Sequence, residues 1–404
     1  MLLASFGDPG HAFPQIALGR ALVRRGHHVC LQTWRAWREH VEREGMRFAA
    51  APEYQVFPTR ERPLSPYQAA VRAARETQPL VRSFAPDVVV VDILTVAAAL
   101  AAEREGLPWI TLVPHLLPLP DRALPPYAIG ALPPRTAVGR AFWRLFRPLL
   151  RLGEERGRRE LNEARRRLGL APLAYPHGGI SRLRALVATF PQLEEARSEL
   201  PAFARITGPL EWEQPYPPVE LPAGSEPLVL VAPSTSQDPD HRLLRCALAG
   251  LRDAPVRVLA TTNRRPLREQ VEIGPNTVLV DWVSYSQTMP RADLVVCHGG
   301  HGTVVRSLAS GTPVLCVPAA GDMAENALRV AWAGAGFALP SRLLSPRNLR
   351  AAVLRALADR STQRRASEFA TWARANPGGA SAAREVEQVV EELRGRDSNP
   401  QPTG

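Results

Sequence analysis

Two loops in this sequence carry residues whose types and spacing are suited to chemistry. The first follows the apolar run LLASF and contains His11, within GDPGHAFP, before a helix that we predict to begin at Pro14. A histidine just beyond the end of a parallel strand can serve as a general base near neutral pH. Asp92 ends the run PDVVVVD and is available to His11, because neighbouring parallel strands end at the same sheet edge. The structural alternatives are a loop histidine with local hydrogen bonds and a helix N-cap carboxylate.

The second loop lies in DLVVCHGGHGTVVRSL, where a predicted strand ends at Cys297 and a helix begins near Thr303. The free N–H groups and the positive dipole end of such a helix are suited to binding a diphosphate. His298 and Thr303 can donate side-chain hydrogen bonds to the same group. Three glycines allow a ligand to approach the backbone closely: Gly299, Gly300 and Gly302. A dinucleotide site of the GxGxxG type is disfavoured, because Val305 stands at the third glycine position.

Residues on either side of the glycine-rich loop can extend the site. Trp282, in DWVSYS, can stack on a nucleobase or pack in the core. Asp322 follows the next strand, TPVLCVP, and is placed to meet a sugar hydroxyl. Asp238-Pro239-Asp240 imitates a metal-binding DxD motif, but its place before a predicted helix favours capping. No other cluster of His, Asp or Glu has metal-ligand spacing, so we predict neither a metal ion nor a bound cofactor.

The elements that position these residues follow a regular rhythm. Short Val- and Leu-rich runs alternate with helical segments, which predicts an α/β protein with parallel, doubly wound sheets. The rhythm restarts at LVLVAPS, after a proline-rich stretch that excludes a helix or a central strand. The predicted organisation is an N-terminal domain at 1–207, a linker at 208–227, a C-terminal domain at 228–394 and a disordered tail at 395–404.

A helical block at 135–169 is rich in arginine and has a cluster of large apolar residues in its first part. These residues are Phe142, Trp143, Leu145, Phe146, Leu149, Leu150 and Leu152. Such a block can make peripheral contact with a membrane surface or cover a hydrophobic ligand cleft. It can equally be an ordinary helix pair that packs on the domain and leaves one face in solvent.

Composition limits the classes of partner. The 404 residues are 45% apolar and 22% charged, which is enough apolar surface for buried cores. The longest apolar stretch is interrupted by Asp92, so no transmembrane segment is predicted. The net charge of +11 comes from arginines scattered among glutamates, without an aromatic-basic signature, and nucleic acid is not an expected partner. The N-terminal MLLASFGDPG lacks the basic region of a signal peptide, which predicts a cytoplasmic location.

Taken together, these motifs resemble glycosyltransferase family 1, in the macrolide and natural-product branch of the GT-B fold. The resemblance is carried by Gly10-His11-x-x-Pro14, PDVVVVDILTVAAALAAEREGLP, LNEARRRLGL, TGPLEWEQP and, most specifically, WVSYSQTMPRADLVVCHGGHGTVVRSLASGTPVLCVPAAGDMAENALRVAWAGAG. It implies two Rossmann-like domains that face each other across a cleft, with the acceptor bound by the first and the donor by the second. It also implies that the last helices, around 364–394, cross back to the N-terminal domain.

The resemblance implies a role for each candidate residue. His11 would deprotonate the acceptor hydroxyl, with Asp92 as its partner. Trp282 would stack on the base, the segment from His298 to Thr303 would bind the diphosphate, and Asp322 would contact the transferred sugar. The implied reaction is inverting, metal-independent transfer of a hexose or deoxyhexose. The donor would be a UDP- or dTDP-sugar and the acceptor a hydroxyl of a lipophilic small molecule.

Three departures from the family pattern concern the donor site. The segment beginning at Trp282 is WVSY instead of a WxPQ-like sequence. Arg306 stands where many relatives have a glutamate that binds ribose hydroxyls, and an arginine there could reach a phosphate. Met323 replaces an amide that holds sugar hydroxyls, which favours a deoxygenated sugar. The alternative functions are a catalytically silent nucleotide-binding protein, a sugar-nucleotide epimerase and a glycolipid-forming transferase.

Overall fold

The computed structural model describes residues 1–52, 66–234, 238, 240–267, 271–319 and 321–398. These residues form two parallel β-sheets, one of seven strands and one of six, with apolar clusters on both faces of each. The α/β architecture of two Rossmann-like domains is the one predicted. Strands such as Val89–Asp92 and Leu294–Cys297 are buried along their whole length, as expected for Val-rich runs in covered parallel sheets.

The N-terminal domain contains, in chain order, β1 (Leu2–Ala4), α1 (Pro9–Arg24), β2 (Cys30–Thr33), α2 (Arg38–Arg43), β3 (Arg47–Ala50), α3 (Pro66–Phe84), β4 (Val89–Asp92), α4 (Val96–Arg104), β5 (Trp109–Val113), α5 (Ala137–Arg144), α6 (Arg147–Arg167), β6 (Ala185–Val187), α7 (Pro191–Glu194) and β7 (Ala204–Ile206). The strand order in its sheet is β3-β2-β1-β4-β5-β6-β7. The order reverses between β1 and β4, where Ala4 pairs with Val91. Open α/β sheets bind ligands at the carboxyl ends of the strands at such a point.

The C-terminal part contains β8 (Leu228–Ala232), α8 (Arg242–Leu251), β9 (Arg257–Thr261), β10 (Thr277–Val280), α9 (Tyr285–Thr288), β11 (Leu294–Cys297), α10 (His301–Ala309), β12 (Val314–Cys316), α11 (Met323–Trp332), β13 (Gly336–Ala338), α12 (Pro346–Ala358), α13 (Arg360–Ala375) and α14 (Gly378–Ser398). Short 3-10 helices occur at Arg35–Trp37, Met289–Arg291 and Ser341–Leu343. The strand order β10-β9-β8-β11-β12-β13 reverses between β8 and β11, where Ala232 pairs with Cys297. Both sheets therefore have the same kind of ligand-binding edge.

The segment 208–227 and the last helix connect the two domains. No helix or strand occupies 208–227, and Trp212 within it is buried in the N-terminal core. The helix α13 packs on α10, whereas α14 packs on α1, where Arg25 forms a 2.6 Å ion pair with Glu387. Where α14 begins, Gly378 lies so close to the carbonyl oxygen of Pro209 that a Cβ atom at residue 378 would overlap it. Within the described residues, no helix combines the length and the apolarity needed to cross a bilayer.

Helix boundaries differ from the predicted ones at three places. The helix α1 begins at Pro9, because Asp8 caps it and Pro9 suits the first turn, so Pro14 lies inside the helix. The helix α10 begins at His301, earlier than predicted. The helix α14 continues to Ser398, into the segment predicted as a disordered tail from 395. Residues 399–404 lie outside the described residues.

Candidate active site

A cavity of about 250 Å³ lies between the carboxyl ends of the two sheets. Residues that follow β1 and β5 line it from the N-terminal domain, and residues that follow β8 to β12 line it from the C-terminal domain. Nine of the predicted site residues are in its wall: His11, Trp282, His298, Gly300, Gly302, Thr303, Arg306, Asp322 and Met323. The other two lie directly behind the wall, with Asp92 against His11 and Gly299 against the backbone of Met323.

The first turn of α1 and the end of β4 position a histidine–carboxylate pair. His11 Nδ1 lies 2.8 Å from Asp92 Oδ1. Asp92 is only 1% exposed, and its Oδ2 accepts a hydrogen bond of 3.0 Å from the Phe6 N–H, so the carboxylate is fixed at both oxygens. When Nδ1–H donates to Asp92, the free lone pair of the neutral ring is on Nε2. His11 can therefore accept a proton from a ligand in the cavity.

Electrostatics distinguish two neighbouring histidines. Burial lowers the pKa of His11, but the charge and hydrogen bond of Asp92 outweigh it and leave the pKa above its ordinary value. His115 follows β5, and its ring centroid lies 6.2 Å from that of His11. Burial and the proximity of His11 lower the pKa of His115, whose Nδ1–H donates to the Leu116 carbonyl over 2.7 Å. The N-terminal side of the cavity thus holds one histidine with a raised pKa and one with a lowered pKa.

The helix α10 begins directly after a turn that only glycine fits. Gly299 has a φ of +82°, in the left-handed region that favours glycine. A Cβ atom on Gly300 would overlap the imidazole of His298, whereas one on Gly302 would enter open space. The first N–H groups of α10 have no partner within the helix and follow the N-cap at Gly300. An anion in the cavity can therefore approach these backbone groups.

His298 lies beside this helix N-terminus. Its Nδ1 is 3.4 Å from the carbonyl oxygen of Ala232, a long hydrogen bond that crosses from β11 to the end of β8. Burial lowers the pKa of His298, so the unliganded ring is neutral at pH 7. Donation from Nε2 to a phosphate then requires the other tautomer or a second proton, which the negative charge of the phosphate would favour.

Trp282 lines the cavity, and a cation covers part of its ring. The Arg264 guanidinium lies 4.5 Å from the ring centroid. Arg264 is itself held by the linker, because its Nη1 donates to Gln214 Oε1 over 2.8 Å. A nucleobase that stacks on Trp282 must use the face that Arg264 leaves free or displace the guanidinium.

Arg306 is hydrogen-bonded to the linker at 208–227 and is therefore not free to bind an anion. Its guanidinium donates to the Trp212 carbonyl and, over 3.3 Å, to the carboxylate of Glu213. Glu213 also accepts hydrogen bonds from the Ser284 hydroxyl at 2.6 Å and the Tyr285 N–H at 3.1 Å. The suggested phosphate contact of Arg306 is therefore not what this structure shows, since a carboxylate already neutralises the guanidinium. The arrangement joins the linker to the N-terminus of α9 and to α10.

Asp322 and Met323 begin α11 at the cavity wall. The negative charge of Asp322 acts to raise the pKa of four imidazoles: His11, His115, His298 and His301. Its side chain does not cap α11 and so can accept hydrogen bonds from sugar hydroxyls. Met323 adds an apolar surface next to this acceptor.

Among the other polar residues of the cavity wall, His115 and Glu213 were not predicted, and His301 was included only as part of the segment from His298 to Thr303. The rule that identified Asp92 would also have identified His115, because it follows the neighbouring strand β5. His301 is the first residue of α10, where burial lowers its pKa to about 4 and its Nε2 lies 3.3 Å from the Ala188 carbonyl. Nothing in the sequence around Glu213 indicates that a linker side chain turns back into the site.

Within the described part of the chain, no group of three or more His, Cys, Asp or Glu side chains could hold a metal ion. In the segment Asp238-Pro239-Asp240, which imitates a DxD motif, the first aspartate has the predicted helix-capping role. Asp238 accepts hydrogen bonds from the N–H groups of Arg242 at 2.9 Å and Leu243 at 3.0 Å, and so caps α8. Pro239 lies outside the described residues.

The fold and the site together define the class of GT-B glycosyltransferases, in which two Rossmann-like domains face each other across a ligand cleft. The glycotransferase of kitacinnamycin has this architecture, with a TM-score of 0.75 and 23% identity over 96% of this chain and 98% of that chain. The spinosyn rhamnosyltransferase SpnG, complexed with thymidine diphosphate, has a TM-score of 0.68 and 20% identity over 96% and 99% of the two chains.

Sequence comparison supplies the family. Residues 246–393 match the model of the erythromycin biosynthesis protein CIII-like C-terminal domain. The 4'-demethylrebeccamycin synthase of Lentzea aerocolonigenes is 30% identical over 387 residues, which are 87% of this chain and 90% of the relative. The chain therefore belongs to the glycosyltransferases of natural-product biosynthesis and is a glycosyltransferase. The alternatives of a silent nucleotide-binding protein and of an epimerase are set aside.

Proposed function

We propose that this glycosyltransferase transfers a hexose or deoxyhexose from a UDP- or dTDP-sugar to a hydroxyl group of a lipophilic small molecule, with inversion and without a metal ion. The observation that carries the proposal is that the His11–Asp92 pair and the N-terminus of α10 meet at one cavity. The pair supplies a base for the acceptor, and the helix terminus supplies a binding site for the leaving group.

In the proposed reaction, His11 Nε2 accepts the proton of the acceptor hydroxyl while the hydroxyl oxygen attacks the anomeric carbon. The attack comes from the face opposite the diphosphate. The bond from the anomeric carbon to the diphosphate oxygen breaks, and the electron pair leaves with the diphosphate. Asp92 stabilises the imidazolium that forms, and the first N–H groups of α10 stabilise the charge on the leaving group. A single displacement of this kind inverts the anomeric configuration.

Two considerations support the proposed donor. The N-terminus of α10 can bind a diphosphate through backbone N–H groups, which makes a metal ion dispensable for charge neutralisation. The complex of the spinosyn rhamnosyltransferase with thymidine diphosphate supports a dTDP-linked sugar, and rhamnose is a 6-deoxyhexose. An apolar side chain at Met323, beside Asp322, is compatible with a sugar that lacks one hydroxyl.

The test is mass spectrometry of products from a panel of UDP- and dTDP-sugars with pooled aglycones and lipid acceptors, with and without EDTA. We expect a sugar-acceptor adduct that forms equally well with EDTA, and the NMR coupling constant of its anomeric proton should show inversion. A lipid as the best acceptor would favour the glycolipid-forming alternative. Retention of configuration, or activity that depends strictly on Mg²⁺ or Mn²⁺, would contradict the proposed mechanism.

A further inference from the structure

An exposed apolar surface on α5 and the first turns of α6 has no role in the proposed reaction. We call it the 138–152 surface, and its members are Val138, Phe142, Leu145, Phe146, Leu149 and Leu152. Of the eleven large apolar side chains exposed among the described residues, eight lie between 129 and 152. Leu145 is 76% exposed and Leu149 is 68% exposed, and α5 has no buried residue at all. Contiguous apolar surface of this kind marks an interaction site more often than a solvated face.

The surface has the pattern of an amphipathic helix that lies on an interface. Apolar residues recur at 138, 142, 145, 149 and 152, which places them on one stripe along the two consecutive helices. Arginines recur with the same spacing at 140, 144, 147 and 151, and so occupy the other side. Helices that lie in the plane of a membrane carry apolar residues on one face and arginine or lysine on the other.

The charge of this region favours an anionic membrane over a second copy of this chain as the partner. Residues 122–153 include six arginines and no aspartate or glutamate. Within the described residues, Arg144, Arg147 and Arg151 form no ion pair, whereas Arg167, farther along α6, pairs with Glu163. Three arginines without an ion-pair partner among the described residues therefore lie on the helices that carry the apolar stripe. A second copy of the same surface would place these arginines against one another, whereas anionic lipid head groups would neutralise them.

Other residues of the two helices that carry the 138–152 surface face a cavity next to the active site. A second cavity, of about 270 Å³, is lined by Trp143, Arg147 and Tyr127. The Tyr127 hydroxyl lies 3.4 Å from Nδ1 of His115, which lines the active-site cavity. The helices that would contact a partner thus also line a cavity beside the part of the site where a lipophilic acceptor is expected to bind.

We propose that the 138–152 surface docks this protein on an anionic phospholipid bilayer. The apolar stripe enters the boundary between head groups and acyl chains, and the arginines contact lipid phosphates. Docking through this surface is reversible, because neither α5 nor α6 crosses the bilayer and the buried apolar area is limited to a few side chains. Lipid binding is a property separate from the sugar transfer proposed above and can be measured without it.

The test is cosedimentation of the full chain with vesicles of phosphatidylcholine alone or of phosphatidylcholine and phosphatidylglycerol at 3:1. We expect binding to the mixed vesicles at low salt, weaker binding at 0.5 M NaCl and little binding to phosphatidylcholine alone. The double substitution Leu145→Asp/Leu149→Asp should abolish binding. Replacement of Arg144, Arg147 and Arg151 by Gln should lower the partition coefficient on the order of 100-fold, since each arginine at an anionic surface contributes roughly fivefold.

Two matched controls separate this surface from net charge and from general hydrophobicity. Arg347, Arg360 and Arg364 are exposed arginines of the C-terminal part, and their replacement by Gln lowers the net charge equally. Leu343→Asp alters an apolar side chain that is 49% exposed elsewhere. Both controls should bind vesicles like the unmodified protein. Thermal unfolding and thymidine diphosphate affinity show whether each variant is folded.

Three outcomes would overturn the proposal. The first is the absence of vesicle binding by the unmodified protein at low salt. The second is an equal loss of binding in both arginine triple variants, which would mean that net charge alone attracts the lipid. The third is a dimer in light-scattering measurements that Leu145→Asp/Leu149→Asp dissociates without any vesicle binding, which would make the surface an interface between copies of this chain.

Discussion

The two domains place different chemistry at equivalent sheet edges. In both sheets the strand order reverses beside the first strand, between β1 and β4 and between β8 and β11. At the first edge stand the His11 imidazole and the buried Asp92 carboxylate, whereas at the second stand glycines and the free N–H groups of α10. The topology thus gives both sheets the same kind of ligand-binding edge, and the few residues near each strand end give one edge a histidine–carboxylate pair and the other a glycine-rich helix N-terminus.

Two histidines show how the surroundings decide the role of a side chain. His11 follows β1 of the first sheet and His298 follows β11 of the second, and both side chains line the same cavity. His11 is hydrogen-bonded to a carboxylate, which raises its pKa, whereas His298 has a backbone carbonyl as its partner and burial lowers its pKa. We therefore expect substitutions at the first site to affect the rate and substitutions at the second to affect nucleotide binding.

The largest effect is expected for His11→Ala. Removal of a positioned general base typically lowers a rate by about 10²- to 10⁴-fold, and kcat should fall by that amount. The affinity for UDP or dTDP should stay nearly unchanged, because the backbone groups of α10 belong to the other domain. Steady-state kinetics and calorimetric nucleotide titration measure the two quantities. Full activity of His11→Ala would show that another group is the base, and His115 would be the next candidate.

The converse result is expected for His298→Ala. Loss of a hydrogen bond to a charged diphosphate costs about 1.5 to 3 kcal/mol, which weakens UDP or dTDP binding roughly 10- to 150-fold. Titration calorimetry with the nucleotide alone checks this without an acceptor. EDTA should leave the affinity of the unmodified protein unchanged. If the variant binds nucleotide normally but loses turnover, the division of roles between the two sheet edges is wrong.

Much of the fold and of the site could be predicted from the sequence because both rest on local patterns. Val-rich runs such as Val89–Asp92 are buried strands, and the spacing between them leaves room for one helix. A His or Asp directly after such a strand must lie at the ligand-binding edge, whatever the details of the helix that follows. The predicted start of α1 was wrong by several residues, yet His11 still reaches Asp92, because the loop after β1 and the end of the adjacent strand β4 lie at the same sheet edge.

The contacts of the linker could not be predicted, because they depend on tertiary packing. The prolines of 208–227 exclude regular structure but say nothing about where its side chains point. In the structure Trp212 enters the N-terminal core, and Glu213 binds Arg306 and the N-terminus of α9. The charge of Arg306 is thus neutralised by a residue 93 positions away, which no local pattern indicates.

A smaller effect with a distinct signature is expected for Asp92→Asn. The amide can keep the hydrogen bond but not the charge that raises the pKa of His11, so the pKa should fall. A base acts in its neutral form, and kcat/KM rises with pH through that pKa. The acid limb of the profile should therefore move to lower pH, while the plateau drops about tenfold with the weaker support of the imidazolium. An unmoved limb with a lower plateau would assign Asp92 a structural role only.

The smallest expected effect concerns Met323, which lines the cavity from the C-terminal domain. This side chain lines the cavity next to Asp322, where a polar side chain could hold a sugar hydroxyl. A hydroxyl buried against methionine loses a partner at a cost of about 1 kcal/mol, or roughly a fivefold change in kcat/KM. We expect the unmodified protein to prefer a dTDP-6-deoxysugar over UDP-glucose.

Met323→Gln should shift the ratio of kcat/KM values toward the fully hydroxylated sugar, because the amide restores both a donor and an acceptor. Met323→Leu is the matched control, since it keeps an apolar side chain of similar size and should leave the ratio unchanged. Comparing dTDP-glucose with dTDP-6-deoxyglucose separates the sugar from the nucleobase. If both variants change the ratio equally, or if UDP-glucose is already the best donor, Met323 acts only by packing. Selection of the sugar would then have to be sought at Asp322.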